Sequence, residues 1–591
     1  MKNILAIVFS LQVIFSGCNS KLNKIYEPVF VGRPADNAFN SLVQLPDGEL
    51  RHYGFEGSWN KPSRHIYFYS KDYGLTWDKK TLTDPDLFTN ENMPPAARSP
   101  WSGDFIRLIS TSEGTFSMRS SNGIDGPYDR IRIDSASYEM IRQPVFLTKT
   151  KRMLVTCQRY VMQNNSEVLQ SCVFYSDDDG HNWSISYVPV GPAFVTVWPH
   201  RKPRWQNYAI EPSLIELSDG RIWMLLRTSM DRFYESFSND HGVKWSDPVP
   251  SRFYGTITMP TLFRMKDGRI LLFFCNTTPL PEEDRSADTV MSDAQKTGIW
   301  DDVFTNRDVI HAAISDDDGK SWKGFRELYL NPLRNDSDFA TRGGKEVSLD
   351  KSVHQSQAVE LPHGKVLLAF GQHPLVRAMI IFDPDWLLEK SRSDDFSQGL
   401  VNWSTFRYIN GIRGHCAYNR DPGPALINNP EKPENKVLQI KHILNKELVS
   451  DVEGAVWNFP SALKGSFRTK IFLKPGGKGG RISLTDRWFN PTDTMACRYS
   501  MYTMEFNGNG NTSYSSVLDP GKWVELTFEW NDLQSGSCVL KINGKKQQNL
   551  LPLNFTSVNG ISYVQFQSVA DKEDTEGYLI ESVKALSDPG H

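Results

Sequence analysis

Two short patterns alternate along the first two-thirds of this chain. In the first, an alternating apolar–polar run ends in a Gly turn. Residues 41–48 read Ser-Leu-Val-Gln-Leu-Pro-Asp-Gly, and 213–220, 261–268 and 357–364 repeat the form. Period-two alternation predicts a strand that buries one face, and the Asp-Gly or His-Gly pair predicts a two-residue hairpin turn into the apolar strand that follows. In the second, an apolar run such as His65-Ile66-Tyr67-Phe68 leads into Ser70-Lys71-Asp72-Tyr73-Gly74-Leu75-Thr76-Trp77. The form Ser-x-Asp-x-Gly-x-(Thr/Asn/Lys/Ser)-Trp recurs at 176–183, 238–245 and 315–322. A Ser/Asp pair folding back on its own backbone, with a Gly that tolerates positive φ, predicts a tight turn that the Trp pins against the sheet.

Four such boxes predict a repeat fold. Each unit reads strand, Gly turn, strand, loop, strand, box, strand, which gives six units near 33–80, 98–133, 138–190, 208–250, 258–330 and 353–388. The second carries only a degenerate box at 120–128. The sixth has none and is expected to close with an N-terminal strand near 26–31. These boxes resemble the Asp-box (BNR) repeat of the sialidase superfamily, which implies an all-β chain with a six-bladed β-propeller over residues 24–390. The pattern stops at Asp383-Pro384-Asp385-Trp386, and the charged stretch 389–395 reads as a linker. Residues 395–589 stay strand-like without boxes. There, 521–530 and 538–545, with Asn543-Gly544 as the hairpin turn, resemble the concanavalin-like (laminin G-like) jelly roll and imply a C-terminal β-sandwich.

Composition narrows the class. A chain of 591 residues predicts roughly two to four domains, and a net charge of −3 gives no ground for nucleic-acid binding. Lys2 and the apolar run 4–15 precede Ser16-Gly17-Cys18, so residues 1–18 read as a lipoprotein signal peptide with Cys18 as the lipidated residue. Membrane contact is then expected only through that lipid anchor, in a bacterial cell envelope, and the protein is expected to be a monomer. The other six cysteines form no CxxC and no Cys/His cluster, so neither a metal nor a cofactor is expected. Cys157 and Cys172 flank a hairpin and either pair or sit as small buried residues.

In a propeller the residues just before each inner strand face one shared pocket. Counting back from the repeated turns gives Phe39, Glu211, Met259 and Gln355, with Gln143 comparable, and Glu211 is the acid among them. A carboxylate there, beside arginines, is a candidate base or nucleophile-activator. Residues 208–228 are similar to the sialidase segment that holds a catalytic Glu and a carboxylate-binding Arg, which gives those roles to Glu211 and Arg227. A guanidinium grips a sugar carboxylate through two parallel hydrogen bonds that Lys cannot copy.

The pattern also departs from that family. Ala38 stands where the first triad arginine is expected, with Arg33 nearby as a substitute. The acid/base Asp falls near Phe55, beside Glu56, and the tyrosine nucleophile falls near Gln355, beside His354. His354 is thus a candidate acid or base. Arg307 is the candidate third arginine, and Arg98, Arg142 and the 200–204 basic run lie in loops before inner strands. A basic funnel in a slightly acidic protein favours an anionic sugar, and the long insertion 277–306 reads as a lid. The expected activity is exo-acting release of a terminal acidic sugar from a glycan or polysaccharide. The alternatives are a uronate-specific polysaccharide lyase using His354, and a non-catalytic surface glycan-binding lipoprotein.

Overall fold

The computed structural model describes residues 20–34, 42–58, 61–82, 96–163, 166–191, 208–228, 230–255, 257–277, 307–336, 352–371, 376–408, 420–446, 448, 450 and 452–588. Six four-stranded antiparallel sheets succeed one another as blades. Blade 1 runs Leu42–Gln44, Leu50–Ser58, Lys61–Ser70 and Asp78–Thr81. Blade 2 runs Ala97–Arg98, Phe105–Thr111, Gly114–Ser120 and Asp129–Asp134. Blade 3 is Val145–Phe146, Met153–Gln163, Ser166–Ser176 and Ser184–Tyr187, and blade 4 is Tyr208–Glu216, Ile222–Thr228, Arg232–Ser238 and Val249–Tyr254. Blade 5 is Thr261–Arg264, Ile270–Phe274, Val309–Ser315 and Lys323–Leu330. Blade 6 takes Gln357–Glu360, Val366–Phe370 and Ala378–Phe382, and its outer strand is the N-terminal Val29–Gly32. The ring closes where the N-terminal strand was expected.

The boxes form as their residue types dictate. Ser70 Oγ donates to Asp72 Oδ1 at 2.8 Å and accepts the Gly74 N–H at 2.8 Å, while Asp72 accepts the Thr76 N–H at 2.9 Å. Gly74, Gly180, Gly242 and Gly319 take φ of +86°, +84°, +94° and +85°, the region where glycine costs least. The box Trp does more than hold its own turn. Trp183 Nε1 reaches Ser117 Oγ of blade 2 and Trp245 Nε1 reaches Ser186 Oγ of blade 3, each at 3.1 Å. These two boxes therefore lock their blades to the preceding ones, and buried apolar clusters fill the spaces between neighbours.

The other repeated turn differs from expectation. Leu45 N–H donates to Glu49 O and Gly48 N–H to Leu45 O, so three residues, not two, form the loop. Residues 217–221 and 265–269 repeat the geometry. The Gly sits at positive φ as the bulge residue of a three-residue hairpin, which the Asp-Gly pair alone does not distinguish from a two-residue turn.

The C-terminal region is a β-sandwich of an eight-stranded and a five-stranded sheet around one large core that includes Trp403, Trp457, Phe467 and Phe566. Asn543 and Gly544 both have positive φ, +49° and +76°, as a two-residue hairpin of this kind requires. The stretch expected as a linker is already sandwich. Ser391–Asp394 pairs with residues 583–586 of the long last strand Asp574–Asp588. The sandwich leans on blades 4 and 5. The Arg487 guanidinium lies 3.6 Å from the Tyr254 ring centroid, and Asn276 Nδ2 donates to Asp486 O at 3.0 Å. Tyr563 OH bonds both Glu327 Oε1, at 2.7 Å, and His311 Nε2. Among the described residues no helix is long and apolar enough to cross a membrane.

Candidate functional site

Strand register sets the height of each side chain in the funnel. Met153 pairs with Ser176, and Ile222 with Ser238, and both serines open an Asp-box. Gln158 and Arg227, each five residues further along, therefore stand at one height in blades 3 and 4. Glu211 meets both. Its carboxylate accepts from Arg227 Nη1 at 2.8 Å (Oε1) and 2.7 Å (Oε2), and its backbone N–H donates to Gln158 Oε1 at 3.1 Å. Arg142 Nη2 donates to the Glu211 carbonyl at 3.2 Å. Burial pulls the Arg142 guanidinium down to about 10, against the raising effect of Glu211.

Backbone conformation marks the same place. Glu211 has φ +50°, and Gln355, at the equivalent position of blade 6, has φ +61°. Such conformations are costly for residues with a Cβ and persist where the surroundings impose them. Here the ion pair and the Gln158 bond impose Glu211's.

A second group stands beside the first. His354 is fully buried. Its Nε2 faces Arg307 Nη1 at 3.1 Å, and its Nδ1 faces the Met259 N–H at 3.3 Å. Both ring nitrogens thus face donors, and a neutral imidazole accepts at only one of them, so His354 is enclosed between Arg307 and the Met259 amide. The residue expected as an acid or base is thus buried against Arg307. Arg307 Nη2 also donates to Ile257 O, whose own N–H donates to Thr228 O, next to Arg227. Arg142, Arg227 and Arg307 thus lie at the upper ends of blades 3, 4 and 5, linked through Glu211, Ile257 and Thr228.

A side-chain bond also crosses the ring. Gln357 Nε2 of blade 6 donates to Gln143 Oε1 of blade 3, across the ring, and also to Leu42 O of blade 1 at 2.9 Å. Gln357 lies two residues beyond the expected Gln355.

The remaining candidates lie elsewhere. Glu56, on the second strand of blade 1, is held by Lys79 Nζ at 2.7 Å and lies 3.8 Å from Arg64. The Lys79 hydrogen bond lowers its pKa, which suits a charged surface pair and not a proton donor. Arg33 is exposed and donates to Arg377 O at 3.0 Å, and Arg98 is exposed on the inner strand of blade 2. Cys157 and Cys172 sit directly opposite one another as free, buried thiols. Cys18, Ala38, Phe39, the 200–204 run and all but the first residue of the 277–306 insertion fall outside the described residues. Gln158 and Arg377, both buried in the upper propeller, carry no motif, so nothing in the sequence points to them.

Residues 99–368, from blade 2 into blade 6, match the family model described as a BNR repeat-like domain. No curated protein matches the chain. Among solved structures, Trypanosoma rangeli sialidase is similar at 10% identity and a TM-score of 0.34, covering 95% of this chain and 92% of that one. The NanB sialidase of Streptococcus pneumoniae is similar at 12% identity and 0.38, covering 61% and 71%. A xylan β-1,4-xylosidase of Bacillus halodurans is similar at 13% and 0.26, covering 95% and 100%. With scores this low, the propeller assignment rests on the sheet order and the box geometry instead.

Proposed function

We propose that this protein is an exo-acting glycoside hydrolase that releases a terminal acidic sugar, sialic acid or a related keto-acid or uronic acid, from a glycan or polysaccharide. The reading extends the BNR repeat-like match, and one observation carries it: the buried Glu211–Arg227 pair at the top of blade 4. Arg227 and Arg307 supply guanidinium groups that grip the sugar carboxylate by parallel hydrogen bonds. Glu211 takes the proton of the attacking nucleophile or water, and Arg142 braces the Glu211 backbone. His354 positions Arg307. The lyase alternative uses His354 as its base, and the burial of that imidazole between Arg307 and the Met259 amide counts against it. Lipidation at Cys18 would place the enzyme in the cell envelope.

The test is product analysis on a panel of glycosides ending in sialic, keto-deoxy or uronic acid, each beside its methyl ester. Release of the saturated acid sugar, with the ester much poorer, supports the proposal. An unsaturated, ultraviolet-absorbing product would mean a lyase, and binding without release would mean a capture protein. Equal handling of acid and ester would defeat the guanidinium grip.

A further inference from the structure

Blade 3 is taller than blade 4. In both, the second strand starts opposite the first box serine, at Met153 and Ile222. Blade 4's strand ends at Thr228, level with Arg159, whereas blade 3's continues to Gln163 and returns from Ser166. At about 3.3 Å per residue the hairpin rises about 13 Å beyond its neighbour. It rises on the side of Glu211, because Gln158 bonds the Glu211 N–H and the opposite residue, Ser171, bonds Ala209 O at 2.9 Å.

Which face looks over the site follows from alternation. Thr156, which bonds Pro212 O, and Gln158 point toward blade 4, so Tyr160 and Met162 point the same way. These two are 53% and 70% exposed, among the most exposed large apolar side chains described. Cys157, on the opposite face, packs instead with Tyr138 and Phe174. Tyr160 stands about 7 Å above the level of Gln158 and Arg227, roughly the length of one further sugar residue.

We propose that Tyr160, with Met162 beside it, is the platform for the neutral sugar to which the acidic sugar is attached. A Tyr ring offers a flat apolar face at low entropic cost with a hydroxyl at its edge, which suits the apolar face and rim hydroxyls of a neutral pyranose. This rests on the proposed reading of the Glu211–Arg227 pocket as an acid-sugar site.

The test compares two probe forms of each acid sugar, its methyl glycoside and the same sugar terminal on lactose, by calorimetric titration against the parent, Tyr160→Ala and Tyr160→Phe. The parent is expected to bind the lactose form about tenfold more tightly, a single good contact's worth. Tyr160→Ala should lose that preference and keep its affinity for the methyl glycoside, and Tyr160→Phe should retain most of it. Equal loss on both probes, or no change on either, overturns the platform while leaving the pocket standing. A parent that binds neither form overturns the pocket reading, and the platform with it.

Discussion

Two buried polar groups of this molecule invite the same interpretation, and the comparison separates them. At the top of blade 4, Glu211 pairs with Arg227, carries a positive φ and has Arg142 behind it. At the seam between blade 5 and the sandwich, Glu327 accepts from Tyr563, which also bonds His311. Glu327 and His311 are the pair that titration would single out, since burial pushes Glu327 up to about 7 and His311 down to about 3. Both nevertheless sit in blade 5 strands that pack one domain on the other. His311 Nδ1 accepts the Asn276 N–H, so Nε2 holds the proton and donates to Tyr563, which donates to Glu327. Each donor of that chain finds its acceptor within the protein, while Glu327 Oε2 has no hydrogen-bond partner among the described residues. Displaced pKa values therefore mark a seam here, whereas the guanidinium cluster and the imposed backbone mark the candidate site.

The comparison can be broken in several ways. The largest effect on binding is expected at Arg227. Arg227→Lys should weaken binding of the acid sugar by about 10- to 100-fold while leaving the methyl ester nearly unaffected, because the charge stays and the two-pronged geometry goes. Titration calorimetry with both probes reads this directly.

At the seam the effect should appear in stability against pH. Glu327, raised in the folded state, favours folding below the ordinary carboxyl value of 4.5, and that contribution is lost as pH rises through about 7. His311 is depressed, so its contribution runs the other way, present above about 6.5 and lost as pH falls toward 3. Between pH 4.5 and 6.5 the two slopes oppose each other. Glu327→Gln removes one of them, so its stability relative to the parent should climb from pH 4.5 to 7 and then level off, by at most about 3 kcal/mol. Thermal melts of both proteins across that range check the sign, and a constant difference would contradict the assignment.

The smallest effect belongs to the boxes. Ser176→Ala removes the acceptor of the Gly180 N–H and the donor to Asp178, at a cost of about 1–2 kcal/mol, with activity kept. A loss of activity without a change in melting would mean that box geometry reaches the site.

Much of the fold was legible because its signals are local. The box needs Ser, Asp, Gly and Trp at fixed offsets, and the Asn543-Gly544 turn needs two residues that tolerate positive φ, so both are written in adjacent residues. What stayed hidden depends on partners distant in sequence. Ser391–Asp394 is a strand only because the last strand of the chain pairs with it, and its polar residues carry no alternation to betray that. Glu56 stands beside the expected acid position, and its partner Lys79 comes from another strand. His354 reads as an acid or base by position, and its neighbours, Arg307 and the Met259 amide, lie 47 and 95 residues away in the chain. Glu211 and Arg227 were legible because both fall in one continuous segment, 208–228, similar to a sialidase segment, and the hairpin between them brings their side chains together.

The most direct measurement sets Glu211→Gln beside Glu327→Gln on the best acidic-sugar substrate. The account predicts that kcat/KM falls by two or more orders of magnitude in the first, on the scale of losing a positioned base, and stays within about twofold of the parent in the second. A Glu211→Gln protein that keeps the parent's rate, or a Glu327→Gln protein that loses as much, would contradict it.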